Sequence, residues 1–86
     1  MKKCKLENGL IYYEATGVET TLLGGLGICD FCNESEDKGY LIPVLNSYYC
    51  KKCFEEWAKT AQHFPEDDWV EKRTAEYYEE VIPTEE

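Results

Sequence analysis

Two cysteine pairs at a fixed spacing constrain this chain more than any other feature of its sequence. Cys29-Asp30-Phe31-Cys32 and Cys50-Lys51-Lys52-Cys53 form the pattern C-x2-C, seventeen residues, C-x2-C. Two residues between cysteines allow a tight turn that directs both sulfur atoms at one ion, and two such turns complete a tetrahedron. The pattern therefore predicts one structural Zn²⁺ bound by Cys29, Cys32, Cys50 and Cys53, with no coordination position left open for catalysis.

Other interpretations of the cysteine pairs are two disulfides, a redox C-x-x-C and a rubredoxin-like iron site. Disulfides need an oxidising compartment, but no apolar stretch follows the first five residues, so we expect no signal peptide and a cytoplasmic location. The remaining cysteine, Cys4, is expected to be a spare thiol on a terminal strand. The single histidine, His63, lies ten residues after Cys53, beyond the predicted helix, and is expected to be a capping or partly exposed residue rather than a ligand.

The size of the chain explains why a metal would matter to it. A chain of 86 residues forms one domain, 1–86, and a core of that size is marginal without a staple. A composition of 43% hydrophobic and 14% aromatic residues is that of a folding chain rather than a disordered one. Its apolar runs are too short to span a membrane.

The residue pattern predicts an α+β fold with an N-terminal β-hairpin and two C-terminal helices. Region 1–27 is predicted to contain a hairpin turning at Asn8-Gly9, where a type I′ turn needs positive φ, and a short strand at 20–23. Region 28–62 is predicted to contain the zinc knuckle, a second hairpin and a helix that begins after Cys50. In that hairpin Pro43 should place its strand at an edge or in a bulge. Region 65–82 is predicted to be an acidic amphipathic helix opened by Pro65.

A knuckle, a hairpin and a second cysteine pair that opens a helix resemble the treble-clef zinc fold. The resemblance covers about residues 28–62, and the seventeen-residue spacer resembles that of GATA-type zinc fingers. It implies the ligands Cys29, Cys32, Cys50 and Cys53. The DNA-binding activity of that family does not carry over, because the helix here begins Phe54-Glu55-Glu56-Trp57 and its carboxylates would repel phosphates.

Negative charge is concentrated at one end of the chain. Residues 65–86 contain nine acids and two bases, a net charge of −7 out of −9 for the whole chain. The sequence therefore favours docking of this helix on a basic protein surface over direct binding of nucleic acid. The residues assigned to that surface are Glu66, Asp67, Asp68, Glu71, Glu76, Glu79, Glu80, Tyr77 and Tyr78.

The sequence contains no nucleophile elbow, phosphate loop or open metal triad, so we expect no enzymatic activity. The first hypothesis is a zinc-binding inhibitor or adaptor that mimics a nucleic-acid backbone in a basic groove. In size and charge the chain is similar to small acidic phage or mobile-element inhibitors such as anti-CRISPR proteins. The alternatives are a nucleic-acid-binding zinc finger or transcriptional regulator, with lysines near the N terminus and in the second cysteine pair, and an iron–thiolate electron carrier.

Overall fold

A computed structural model describes residues 1–25, 27–35 and 37–85. Leu26, Glu36 and Glu86, the last residue of the acidic segment, lie outside the described residues. Within these ranges an antiparallel sheet has the strand order β1-β2-β3-β4. The elements in chain order are β1 (Lys2–Lys5), β2 (Ile11–Thr16), α1 (Gly17–Thr21), β3 (Lys38–Ile42), β4 (Ser47–Tyr49), α2 (Lys51–Thr60), a 3₁₀ turn (Pro65–Asp67) and α3 (Asp68–Val81).

The N-terminal hairpin is confirmed, but its turn differs from the predicted one. β1 pairs with β2 in a register that places Lys5 opposite Ile11. Gly9 has a φ of +94°, while Asn8 is not in the positive-φ region, so the turn is not type I′. The Asn8 side chain instead accepts a hydrogen bond from the Leu10 N–H at 3.0 Å. The hydrogen bond from the Leu10 N–H to the Asn8 side chain stabilises this turn. Of Asn8 and Gly9, Gly9 alone adopts the left-handed conformation.

The short strand predicted at 20–23 is wrong, because the chain forms the helix α1 immediately after β2. Thr16 is the N-cap of this helix, and its hydroxyl accepts a hydrogen bond from the Glu19 N–H at 3.1 Å. The Glu19 carboxylate accepts the Thr16 N–H at 2.9 Å in return. This reciprocal capping box satisfies two helix-end donors and outweighs the strand preference of the threonines that follow.

The second hairpin is confirmed, although the predicted consequence of Pro43 is not. β3 pairs with β2 on one side and with β4 on the other, so it is a central strand. Pro43 lies just beyond Ile42, in the turn, where its missing N–H removes no bond of the ladder. Gly39 in β3 is required by packing, because a Cβ there would lie 2.6 Å from the Tyr48 ring.

The two C-terminal helices are confirmed with shifted ends. α2 ends at Thr60, two residues before the predicted boundary, and Ala61 is extended. Pro65 opens a 3₁₀ turn that leads directly into α3. Trp69 and Tyr77 are exposed on α3.

The helices cover opposite faces of the sheet. On one face, Ala75 and Tyr78 of α3 and Ile82 just after it pack against a cluster that includes Tyr13 and Leu41. Tyr13 and Tyr78 meet edge to face with ring centroids 5.9 Å apart.

On the other face, Phe54 of α2 stacks on Tyr40 at 4.2 Å and contacts Tyr12 at 4.7 Å. Tyr12 and Tyr13 are adjacent in β2 and therefore lie on opposite faces of the sheet, because side chains alternate along a strand. α2 is thereby fixed to the sheet, and its N terminus carries the second cysteine pair.

Candidate metal centre

The first cysteine pair lies in a tight loop after α1. The Cys29 N–H donates to the Glu34 carbonyl at 3.0 Å, and the Asn33 N–H donates to the Cys29 carbonyl at 2.9 Å. Asn33 has a φ of +64°, a left-handed conformation that asparagine tolerates better than most residues. These bonds fold the loop back on itself, so both of its sulfur atoms point to the same side.

Asp30 attaches this loop to the sheet. Its N–H donates to the Tyr48 carbonyl at 2.8 Å, and its carboxylate accepts the Tyr48 N–H at 2.9 Å. Tyr48 belongs to β4, two residues before Cys50. The residue between the cysteines of the first pair thus brings that pair to the second.

The second cysteine pair opens α2. Cys50 is the N-cap residue with extended dihedral angles, and Cys53 lies in the first turn. No side chain caps this helix end by a hydrogen bond. Thiolates at this position face the positive end of the helix dipole and its free N–H groups, which stabilise negative charge.

The four cysteines predicted as ligands come together in one cluster. The Sγ atoms of Cys29, Cys32, Cys50 and Cys53 all lie within 4.8 Å of one another, and those of Cys32 and Cys50 are 3.7 Å apart. Tetrahedral Zn–S bonds of about 2.3 Å place neighbouring sulfur atoms about 3.8 Å apart. The cluster is therefore positioned to hold one metal ion, and the structure has no disulfide among its described cysteines.

The electrostatics of Cys29 favour a bound cation. Burial alone would raise the pKa of the Cys29 thiol, but the N–H groups of Cys32, Cys50 and Phe31 outweigh burial and lower the pKa to about 6. Backbone donors that stabilise a thiolate prepare that sulfur for a metal, which binds thiolate and not thiol. Burial raises the pKa of Cys53, so the cluster without metal favours a mixture of thiol and thiolate.

The cluster is closed on most sides. Cys29 and Cys50 are buried, Cys53 is 9% exposed, and Cys32 is exposed. Four thiolates satisfy a tetrahedral ion, so this donor set leaves no position for a reacting water. The arrangement can hold a structural metal and order the chain around it.

Cys4 and His63 lie outside the cluster. Cys4 is on β1, opposite Tyr12 in the register. The His63 ring lies against the Asp68 carboxylate at the start of α3.

The fold buries some of the residues assigned to a partner surface and leaves others exposed. Tyr78 is 2% exposed and Glu71 is 7% exposed, so neither is available to a partner. Glu79 accepts hydrogen bonds from the Tyr13 hydroxyl at 2.6 Å and faces the Lys3 ammonium at 3.1 Å. The acids that remain exposed on the described part of this segment include Glu66, Asp68, Glu76 and Glu80.

Sequence reasoning assigned Tyr77 to the exposed face of α3 but missed Trp69 and its contact with Arg73 there. Trp69 is 64% exposed, and the Arg73 guanidinium lies 5.7 Å from its ring centroid. Tyr77, 48% exposed, follows one turn later. The spacing of four residues between Trp69, Arg73 and Tyr77 was the available signal, since it places the three on one side of a helix.

Sequence reasoning also missed an aromatic groove beside the cysteine cluster. The groove has a volume of about 400 Å³ and is lined by Phe31, Cys32, Glu34, Tyr49, Lys52, Cys53, Glu56 and Trp57. Phe31 is 73% exposed and meets Tyr49 edge to face with centroids 6.1 Å apart. We refer to this feature as the aromatic groove.

Comparisons with protein-family models, curated proteins and solved structures found no match to this chain. The site is therefore interpreted from its geometry alone. In the described part of the chain, no helix is both long enough and apolar enough to cross a membrane.

Proposed function

We propose that this protein is a non-enzymatic, zinc-binding interaction protein. The four-sulfur cluster is the observation that carries the metal part of the proposal, because its spacing and its full set of thiolate donors fit Zn²⁺. The order of knuckle, hairpin and helix supports a treble-clef-like zinc domain. A site with four protein ligands gives the metal a structural role.

The metal proposal is tested by zinc stoichiometry and by substitution. We expect one zinc per chain, and we expect Cys29→Ser to lose the metal and the cooperative unfolding transition. Structural zinc contributes roughly 10–16 kcal/mol of apparent binding free energy, which exceeds the net stability of most small domains.

Cys4→Ser is the matched control and should retain both metal and fold. Full metal content and normal unfolding in Cys29→Ser would contradict the assignment. Stoichiometric iron in place of zinc would favour the electron-carrier alternative.

We further propose that the exposed face of α3 docks on a basic surface of a nucleic-acid-processing protein. Support comes from Glu76 and Glu80, which lie on the exposed side of the helix together with Trp69 and Tyr77. Exposed aromatic residues are enriched at protein interfaces, and neighbouring carboxylates steer a basic partner. The charge distribution favours one such protein in particular, an acidic inhibitor that imitates a nucleic-acid backbone.

Charge reversal tests the docking proposal. Affinity capture with Glu76→Lys/Glu80→Lys should lose a partner that the unchanged protein retains at low salt and releases at high salt. Glu7→Lys/Asp37→Lys is the matched control, because both residues are exposed and lie outside α3. Equal capture by the two double variants would refute the assignment of the surface to α3.

A further inference from the structure

The aromatic groove combines three rings with an excess of negative charge. Phe31, Tyr49 and Trp57 supply the rings, and Glu34 and Glu56 supply carboxylates. The Lys52 ammonium also lines the groove and the Lys59 ammonium pairs with Glu56 at 3.2 Å, so the excess of negative charge comes from the metal centre. Cys32 and Cys53 also line the groove. Four thiolates around one Zn²⁺ carry a net charge of −2, so a loaded metal centre adds further negative charge to the wall.

This combination is the chemistry that recognises a cationic side chain. The face of an aromatic ring attracts a cation through its quadrupole, and the attraction is stronger where water is excluded. A planar guanidinium can stack on a ring and donate hydrogen bonds to carboxylates at the same time. A ring–guanidinium contact already occurs within this chain, where Arg73 lies over Trp69.

Phe31 shows that the groove is an open surface. It lies between two metal ligands at the tip of the knuckle and is 73% exposed, although it contacts the Tyr49 ring. A ligand that covers this ring would remove apolar surface from water, which favours binding. The bonds of Asp30 to Tyr48 hold the tip in place, so the groove is preformed.

We propose that the aromatic groove binds one arginine side chain of a basic protein segment. This inference rests on the proposed function, because the same basic partner supplies the side chain. The groove adds a second contact point, separate from the exposed face of α3. The acidic helix attracts the partner over a distance, and the groove selects a guanidinium at a defined position.

The direct test is an NMR titration of the zinc-loaded full chain. The probe is a capped glycine–serine peptide with one central arginine, and the control peptide carries citrulline, which has the same shape without the charge. We expect saturable shifts at the amides of residues 31–34 and 49–57 with the arginine peptide, and none with citrulline. Equal shifts with both peptides, or no shifts at millimolar peptide, would overturn the inference.

Substitution of Phe31 provides the second test. Phe31→Ala should retain zinc, because the side chain is exposed, and should weaken the arginine peptide about tenfold. Phe64→Ala is the matched control, since Phe64 is 46% exposed and is not part of the groove. Lys52→Ala should tighten binding, because it removes an ammonium that lines the groove and repels a guanidinium.

The outcomes separate this inference from the docking proposal. If the arginine peptide shifts only residues of α3, or if Phe31→Ala binds it unchanged, the groove assignment fails and docking through α3 stands. If the Glu76→Lys/Glu80→Lys variant captures the partner normally while Phe31→Ala loses the arginine peptide, docking through α3 fails and the groove assignment stands.

Discussion

Glu71 occupies a position where charge patterning alone would place a solvent-facing acid. It is 7% exposed, and its carboxylate accepts the Ile11 N–H at 3.0 Å. β2 begins at Ile11, so the carboxylate accepts from the first N–H of this strand. The acid therefore satisfies a backbone donor between α3 and the sheet.

Replacement of Glu71 tests this role. We expect Glu71→Ala to lower the free energy of unfolding by about 1–3 kcal/mol, because a partly buried N–H loses its acceptor. Glu71→Gln retains an acceptor oxygen and should recover part of the loss. Chemical denaturation of the zinc-loaded protein measures both variants.

Glu76→Ala is the control on the same helix, and its exposed position predicts a change within about 0.5 kcal/mol. Equal stability of Glu71→Ala and Glu76→Ala would show that the bond to Ile11 contributes nothing to the fold.

At the level of secondary structure, the capping box decides the identity of α1. The helix has only five residues, so its intrinsic propensity is weak and its ends dominate its stability. The Glu19 carboxylate also pairs with the Met1 amino group at 2.6 Å. α1 is thereby connected to the start of β1 as well as to the end of β2.

Removal of the cap tests this argument. Thr16→Ala should destabilise the protein by about 1 kcal/mol, the usual contribution of a threonine N-cap. Thr16→Ser keeps the hydroxyl and should remain near the original stability. Thermal unfolding of both variants gives the comparison, and equal losses would show that the hydroxyl is not the stabilising group.

For the whole molecule, ion pairs join elements that are distant in sequence. Glu79 of α3 accepts a hydrogen bond from Tyr13 of β2 and pairs with Lys3 of β1. The Tyr13 hydroxyl bond, together with Lys3, holds the pKa of the Glu79 carboxyl below its usual range despite partial burial. Folding therefore favours the ionised form of this group.

The sign of the resulting pH dependence follows from linkage. A carboxyl whose pKa is lowered by folding contributes stability above its unfolded pKa and loses that contribution as the pH falls through the folded value. We therefore expect Glu79→Gln to be less stable than the unchanged protein at neutral pH. The difference should shrink as the solution is acidified.

Acid also removes zinc, and this lowers the stability of both proteins. The difference in stability between Glu79→Gln and the unchanged protein at each pH is therefore less affected by zinc loss than either stability alone. Urea denaturation across the acidic range gives the two stability curves. A difference that does not vary with pH would contradict the coupling of Glu79 to folding.

The sequence by itself determined the four cysteines of the cluster, both hairpins and the two longer helices. Each of these depends on residues close together in the chain: cysteines separated by two residues, Asn8-Gly9 at a turn, and Pro65 at the start of a helix. The capping box of Thr16 and Glu19 was equally local, and the strand predicted at 20–23 was wrong because that signal was not applied.

Only the tertiary structure decided which acids and tyrosines of the 65–82 segment face solvent. Tyr77 and Tyr78 are neighbours in sequence, yet one is 48% exposed and the other 2%. Glu71 and Glu76 differ in the same way, because Glu71 is buried and accepts the Ile11 N–H of the sheet, whereas Glu76 is exposed. The aromatic groove likewise exists only where the knuckle, β4 and α2 meet. Packing of this kind depends on which two elements meet. The sequence pattern of one element does not specify the element that packs against it.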